Sequence, residues 1–223
     1  LGNIHAGECA GKEAILSLCR DISKEERRDL LEHLIVIALP NLNVDGNEQQ
    51  GSHHRPGQTG PATGTGLREN SQGLDLNRDF VKIETPEVRA LIKGLRDWNP
   101  HLFIDTHTTN GSRHRYALTY DIAHNPAAPR EPREWLRTTL LPQVTAALAE
   151  KDIQTFFYGN FDKDRTRWTT FGHEPRYSSE YMGLRGRLAI LSEAYSYISY
   201  RQRIAANQAF ILETLTVLAD HRA

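Results

Sequence analysis

Short, uninterrupted apolar runs constrain this chain more than any other feature. Leu34-Ile-Val-Ile-Ala-Leu39, His101-Leu-Phe-Ile-Asp-Thr-His107 and Arg187-Leu-Ala-Ile-Leu-Ser-Glu193 are each the length of a strand and far too short to cross a membrane. A strand apolar on both faces has to be covered on both. Between these runs lie segments with apolar residues at helical spacing, so strands and helices alternate. The expected fold class is α/β, with a mixed, mostly parallel central sheet covered by helices on both faces.

The helical segments carry their own start and stop signals. Residues 8–22 place Ala14, Ile15, Leu18 and Ile22 on one face. Ser23-Lys-Glu-Glu26 is a capping box that predicts a second helix to about His33. Thr85-Pro86-Glu87 is an N-cap followed by proline at the first helical position, and Pro100 stops that helix after Trp98. Glu131–Lys151 and Ser178–Gly186 read as helices, and Tyr116–Tyr120 and Ile153–Tyr158 as further strands. A second capping box, Ser199-Tyr-Arg-Gln202, launches a final amphipathic helix through Leu218. From Asn41 to Phe80 the periodicity vanishes. Within it, Gly51–Gly73 is rich in Gly, Pro, Ser and Thr, and a loop this long in a compact domain is usually functional or disordered.

Composition excludes several classes. A length of 223 residues, 39% hydrophobic and 25% charged, suits one sizeable globular domain. A net charge of −1 offers no field to attract nucleic acid or an anionic membrane surface. Cys9 and Cys19 fall on one predicted helix, about 15 Å apart, beyond disulfide reach. Cys9 is expected to pack in that helix, because its side chain points about 100° away from Glu8. The chain lacks an initiator Met and most of a strand leading to His5. Residues 1–223 are therefore expected to be one catalytic domain lacking its N-terminal strands or cut from a longer chain, with compartment and oligomeric state open.

Reactive groups collect at strand ends. His5 and Glu8 stand three apart where an apolar lead-in gives way to a helix. An imidazole and a carboxylate converging there make two thirds of an open zinc site. His107 ends a predicted strand and is the natural third ligand, although alone it would read as a buried histidine bonded to a carbonyl. Asp105 shares its face. Glu193 ends another apolar strand, where a carboxylate is costly unless it has a partner or a task. In sheets of this kind ligands sit beyond the strand C-termini. Arg68 and Arg78, with Asn77, lie in the loop facing that edge and suit an anionic group.

These residues resemble those of the zinc carboxypeptidases related to carboxypeptidase A. The resemblance runs through His5-Ala-Gly-Glu8, Leu39-Pro-Asn-Leu-Asn-Val-Asp-Gly46, Arg68, Gly73-Leu-Asp-Leu-Asn-Arg78, Phe103-Ile-Asp-Thr-His107 and Leu191-Ser-Glu193, in the family's order over essentially the whole chain. It implies that His5, Glu8 and His107 bind one Zn2+. Glu193 would be the general base for a zinc-activated water, and Arg68 would stabilise the oxyanion. Asn77 and Arg78 would grip the substrate's C-terminal carboxylate, and Asp75 would orient the first zinc histidine. His54-Arg-Pro-Gly-Gln-Thr-Gly-Pro61 and Ser192-Glu-Ala-Tyr-Ser-Tyr197 look like a bacterial subgroup.

One departure concerns the family's substrate-capping tyrosine. Its place, about 22 residues before the base, is taken by Phe171; Tyr177 and Tyr181 are the nearest substrate-binding candidates. The specificity pocket is expected near Ser178 and Ser179, which set no clear side-chain preference. The implied activity is a zinc metallocarboxypeptidase acting on a peptide or acyl-amino-acid substrate with a free C-terminal carboxylate. The alternatives are a zinc amidase on γ-glutamyl, cell-wall or N-acyl amino acid substrates, and a non-catalytic peptide-binding domain.

Overall fold

The computed structural model describes residues 1–24 and 29–221. A four-stranded sheet in the order β1-β6-β2-β3 forms its centre, from β1 (Leu102–Thr108), β2 (Leu118–Ile122), β3 (Thr155–Phe157) and β6 (Leu188–Ala194). β1 runs parallel to β6, β2 parallel to β3, and β2 antiparallel to β6. The sheet is thus mixed and mostly parallel. A bridge from Gly2 to Thr106 lies along the other side of β1.

Each sheet face is closed by helices that bury an apolar stripe. On one face α8 (Tyr200–Asp220) packs with α6 (Leu141–Ala149) over Leu118, Tyr120, Ile122 and Ile190. α1 (Ala10–Ile22) joins it through Ile15, Leu18 and Ile22 against Ile211 and Leu215. Gly11 permits that approach, since a Cβ there would collide with the Thr106 side chain of β1. On the other face α7 (Ser178–Leu184) sets Met182 against Phe103 and Ala189, and α4 (Pro86–Trp98) adds Val88 to a cluster with Ile4, Leu76 and Phe80. The predicted caps of both α4 and α8 form: Thr85 accepts from Val88 N, and Ser199 and Gln202 make a complete capping box.

Two expectations need correction, and a third gains detail. Leu34–Leu39 is not a strand buried on both faces. Leu34 and Val36 pack against the α1–α8 cluster, but Ile35 is 83% exposed and Ile37 50%. Among the described residues its backbone bond to a neighbouring segment is at its end, Gly2 N to Leu39 O at 2.9 Å, and a strand without a ladder partner cannot be sandwiched. The helix read through 131–151 forms, running without a break through α5 (Arg130–Trp135), a wider helical turn at Leu136–Leu140 and α6. Pro142 has no N–H to give the turn before it, which accounts for the widening. The 41–80 stretch is not structureless, since it holds α3 (Val44–Glu48) and a tight turn at Leu76–Arg78. The capping box begun at Ser23 runs into residues 25–28, outside the described residues; α2 (Asp29–His33) follows.

Candidate metal centre and active site

The register of β1 against β6 builds the site. It pairs Phe103 with Ala189, Asp105 with Leu191 and His107 with Glu193, so both reactive side chains project from the same face at the strands' C-terminal ends. A tight turn, with Glu8 N bonded to His5 O at 2.9 Å, folds the His5–Glu8 corner against them. Glu8 Oε1 lies 3.1 Å from His5 Nδ1, and Glu8 Oε2 lies 2.8 Å from His107 Nδ1. The three are 4%, 4% and 2% exposed, and their ligand atoms lie within 4.8 Å of one another.

The far sides of the two rings are matched. His5 Nε2 stands 3.0 Å from Asp75 Oδ1, and His107 Nε2 stands 3.1 Å from Asp105 Oδ2. A carboxylate at each Nε2 favours the proton there and leaves each Nδ1 lone pair turned toward Glu8. Two imidazole nitrogens and one carboxylate on an open cavity are the donor set of a catalytic zinc site. The residues therefore fit the ion that their types imply.

Electrostatics follow from burial. Burial alone would raise the Glu8 carboxyl, but Arg55, His5 and His107 outweigh it and hold Glu8 well below its ordinary range. Burial would lower His107, and Asp105 and Glu8 outweigh it in turn, pushing the imidazole up. Asp75 is lowered because contacts from His5, Arg68 and Arg78 overcome its burial. Glu193 has no comparable compensation. Burial raises it to about 8, with His107 pulling down and Glu8 pushing up.

The arginines and the amide surround this cluster. Arg68 binds Asp75 Oδ2 through Nε at 3.0 Å and places Nη1 3.2 Å from His5 Nδ1. Asn77 sets Nδ2 3.3 Å from His107 Nε2, while its Oδ1 accepts from Ser178 N at 2.9 Å. Arg78 donates to Asn77 O at 2.7 Å and lies over the Tyr177 ring, 4.6 Å from its centroid. Asp79, the next residue, anchors the segment by accepting from Glu84 N, Thr85 N and Thr85 Oγ1.

A cavity of about 580 Å³ joins His5, Glu8, Arg68, Asn77, Arg78, His107, Tyr177 and Glu193. Tyr181 is not on its wall. That ring packs on Phe80 with centroids 5.6 Å apart, so the substrate-binding expectation for Tyr181 is corrected. It sits instead against the cluster that Val88 of α4 shares with Phe80 and Leu76. Of the two pocket serines, Ser179 lines the cavity, whereas Ser178 is buried with its hydroxyl on Asp105.

Two wall residues escaped sequence reasoning. Arg55 donates to Glu8 Oε1 and to Thr108 O, both at 2.9 Å. It arrives on an irregular loop held by Gln58 to Gly7 O and by the buried Arg203, which donates to Thr59 O, Ser196 O and Ile198 O. No periodicity marks such a residue. Tyr158 also lines the cavity, and the charge of Glu193, with burial, keeps its phenol protonated. It ends a predicted strand, so the rule that singled out His107 and Glu193 would have found it. The adjacent His53-His54 pair adds nothing to the metal cluster; His54 turns Nδ1 to Thr65 O at 2.8 Å.

A family model described as zinc carboxypeptidase matches residues 1–172, well over half of the chain. The chain belongs to the zinc carboxypeptidase family. Within that family it is similar to mouse (Mus musculus) carboxypeptidase D, 36% identical over 113 residues, spanning 43% of this chain and 8% of that protein. It is also similar to the human (Homo sapiens) carboxypeptidase N catalytic chain, 32% identical over 192 residues, spanning 72% of this chain and 40% of that one. Its fold resembles a metallo-carboxypeptidase from Burkholderia cenocepacia, with TM-score 0.70, 18% identity, and coverage of 99% of this chain and 56% of that one. A Pseudomonas aeruginosa metallo-carboxypeptidase, solved with (2-guanidinoethylmercapto)succinic acid, gives TM-score 0.67 at 19% identity, covering 98% and 56%. This zinc carboxypeptidase-family chain thus spans about half the length of those solved structures and less than half of the curated relatives.

Proposed function

We propose that this chain is the catalytic domain of a metallocarboxypeptidase that uses one zinc ion and Glu193 as general base to hydrolyse the C-terminal peptide bond of its substrate. The observation that carries the proposal is the convergence of His5, Glu8 and His107 on one cavity, with Glu193 beside His107 through the strand register. His5 and His107 would hold the ion through Nδ1 and Glu8 through its carboxylate. When bound, zinc supplies Lewis acidity, polarising a carbonyl oxygen and bringing the pKa of a water to about 7.

The chain's own residues supply the rest. Glu193, buried beside His107 through the strand register, takes a proton from the attacking water and returns it to the departing amine. Arg68 offers a guanidinium already oriented by Asp75 to the developing oxyanion. Asn77 and Arg78 bind the terminal carboxylate, and Tyr177 lies against Arg78 at that end of the cavity. Asp75 and Asp105 orient the two metal-binding imidazoles.

The test compares blocked dipeptides that differ only in a free or an amidated C-terminus. Losing a buried carboxylate partner for Arg78 is expected to lower kcat/KM by roughly a hundredfold. Equal rates on both would refute the exopeptidase assignment. N-acyl amino acids and γ-glutamyl or muropeptide substrates in the same panel separate a peptidase from an amidase.

A further inference from the structure

A second cavity, of about 550 Å³, lies between the loop Gly111–Arg113 and the hairpin of β4 (Asn160–Phe161) and β5 (Trp168–Thr169). Its walls are fixed to each other. Gly111 adopts φ +101°, and a Cβ there would meet Asn160 Oδ1 at 2.7 Å. The same oxygen accepts from Ser112 N at 3.0 Å, and Ser112 Oγ accepts from Phe161 N at 2.8 Å. Tyr197 joins this cavity to the first, since its ring lines the catalytic cavity and its hydroxyl donates to Gly111 O.

Two guanidiniums line the second cavity, Arg113 stacked 4.4 Å over the Tyr197 ring and Arg165 on the hairpin turn. Among the described residues neither forms an ion pair with a carboxylate. Asp162 is on the wall, but its oxygens are occupied by Thr166 N, Thr166 Oγ1 and Arg167 N. The arginines of the first cavity are engaged differently, Arg55 by Glu8 and both Arg68 and Arg78 by Asp75, so the uncompensated guanidiniums are those of the second cavity. The whole chain carries a net charge of −1, so this concentration of arginine is local and does not reflect a basic protein.

The direction of the second cavity follows from His107. Its Nε2 edge faces Asn77 and so the carboxylate clamp, whereas its Nδ1 edge faces Glu8, then Arg55 and the Thr108 carbonyl. The backbone continues from Thr108 through Asn110 to Gly111 on that second side. A peptide whose C-terminus is held at Arg78 runs toward Gly111 with its upstream residues. Gly111 lies four positions beyond His107, an extended reach of at most about 14 Å, or roughly four substrate residues.

We propose that the second cavity is a subsite for acidic side chains roughly two to four residues upstream of the scissile bond, which makes acidic-tailed peptides the substrate class. This rests on the peptidase reading above for the direction of the substrate. Carboxylates there pair with Arg113 and Arg165, whose field draws them in.

The experiment uses peptides with one C-terminal residue and Glu, Ala or Lys at the upstream positions. At low salt the zinc-loaded protein is expected to prefer Glu over Ala by about tenfold in kcat/KM, mostly through KM. The preference should fade as salt rises from about 0.05 to 0.5 M. In Arg113→Gln/Arg165→Gln, and in part in either single variant, the Glu-to-Ala ratio measured on the same enzyme should fall toward one. A Glu-to-Ala ratio within twofold on the unaltered protein, or a preference for Lys, overturns the proposal. The same labelled peptides titrated onto Glu193→Gln give a readout independent of turnover. Tighter, salt-sensitive binding of the Glu peptide without cleavage by the unaltered protein would sink the peptidase reading and keep the acidic subsite. Equal binding of all three would remove the subsite whatever the activity.

Discussion

Replacing Asp105 with asparagine removes one negative charge from a side chain that is fully buried and changes its volume hardly at all. Asp105 Oδ2 lies 3.1 Å from His107 Nε2 and takes the Ser178 hydroxyl, while Oδ1 has no hydrogen-bond partner. In the native site the carboxylate can only accept, which holds the imidazole proton on Nε2 and leaves Nδ1 free for a metal. Asparagine can turn its amide to His107 and donate, which favours the opposite tautomer. Loss of such a partner to a zinc-binding histidine lowers metal affinity by about 10- to 100-fold, or roughly 1.4 to 2.7 kcal/mol. Competition against a chromophoric chelator at neutral pH measures the zinc dissociation constant. Imidazole 15N chemical shifts report the tautomer, which a merely structural role would not change. An Asp105→Asn protein that binds zinc within twofold of the native protein, with the His107 proton still on Nε2, would refute the reasoning.

Glu193→Gln is expected to retain zinc while peptide turnover falls by roughly a thousandfold or more, because the proton acceptor is gone; a rate within tenfold of native would show that Glu193 is not the base. Burial raises Glu193 to about 8, so the folded protein binds more protons than the unfolded chain between about 4.3 and that value. Its contribution to stability is therefore fully present below the unfolded pKa and lost as pH rises through about 8. In chelator-stripped protein, the Tm of native relative to Glu193→Gln should fall as pH goes from 5 to 9, and a constant difference would contradict this. Arg203→Met leaves the carbonyls of Thr59, Ser196 and Ile198 without their buried donor. It should cost about 3 kcal/mol in denaturant unfolding, and a loss below about 0.5 kcal/mol would mean that the Arg55 loop is held by other contacts.

The parts of the fold legible in the sequence are those with a strict period or a fixed local spacing. β1 and β6 announce themselves as apolar runs ending in polar residues, and the caps of α4 and α8 as short motifs. Leu34–Leu39 shows the limit, since composition gives a propensity for extended chain but not the neighbour that a ladder requires. Pro142 was visible in the sequence, yet what a helix does around it depends on packing. The metal cluster was legible because His5 and Glu8 are local and His107 and Glu193 each end a strand. Which strands lie side by side is a property of topology, and β1 beside β6, 86 positions away in the register, could not be read from spacing. Arg55 was hidden for a related reason. It reaches Glu8 through a non-repetitive loop whose course is set by Gln58, Arg203 and Thr108 together. Tyr181 was misjudged because closeness in sequence to the expected pocket does not fix which way a helical side chain points.

Anomalous diffraction at the zinc edge from crystals of the zinc-loaded protein tests the central claim most directly. One strong peak per chain is expected, about 2.0–2.2 Å from Nδ1 of His5, Nδ1 of His107 and a Glu8 oxygen, with Glu193 facing it and not ligating. A peak elsewhere, or none within reach of those three side chains, would contradict the account.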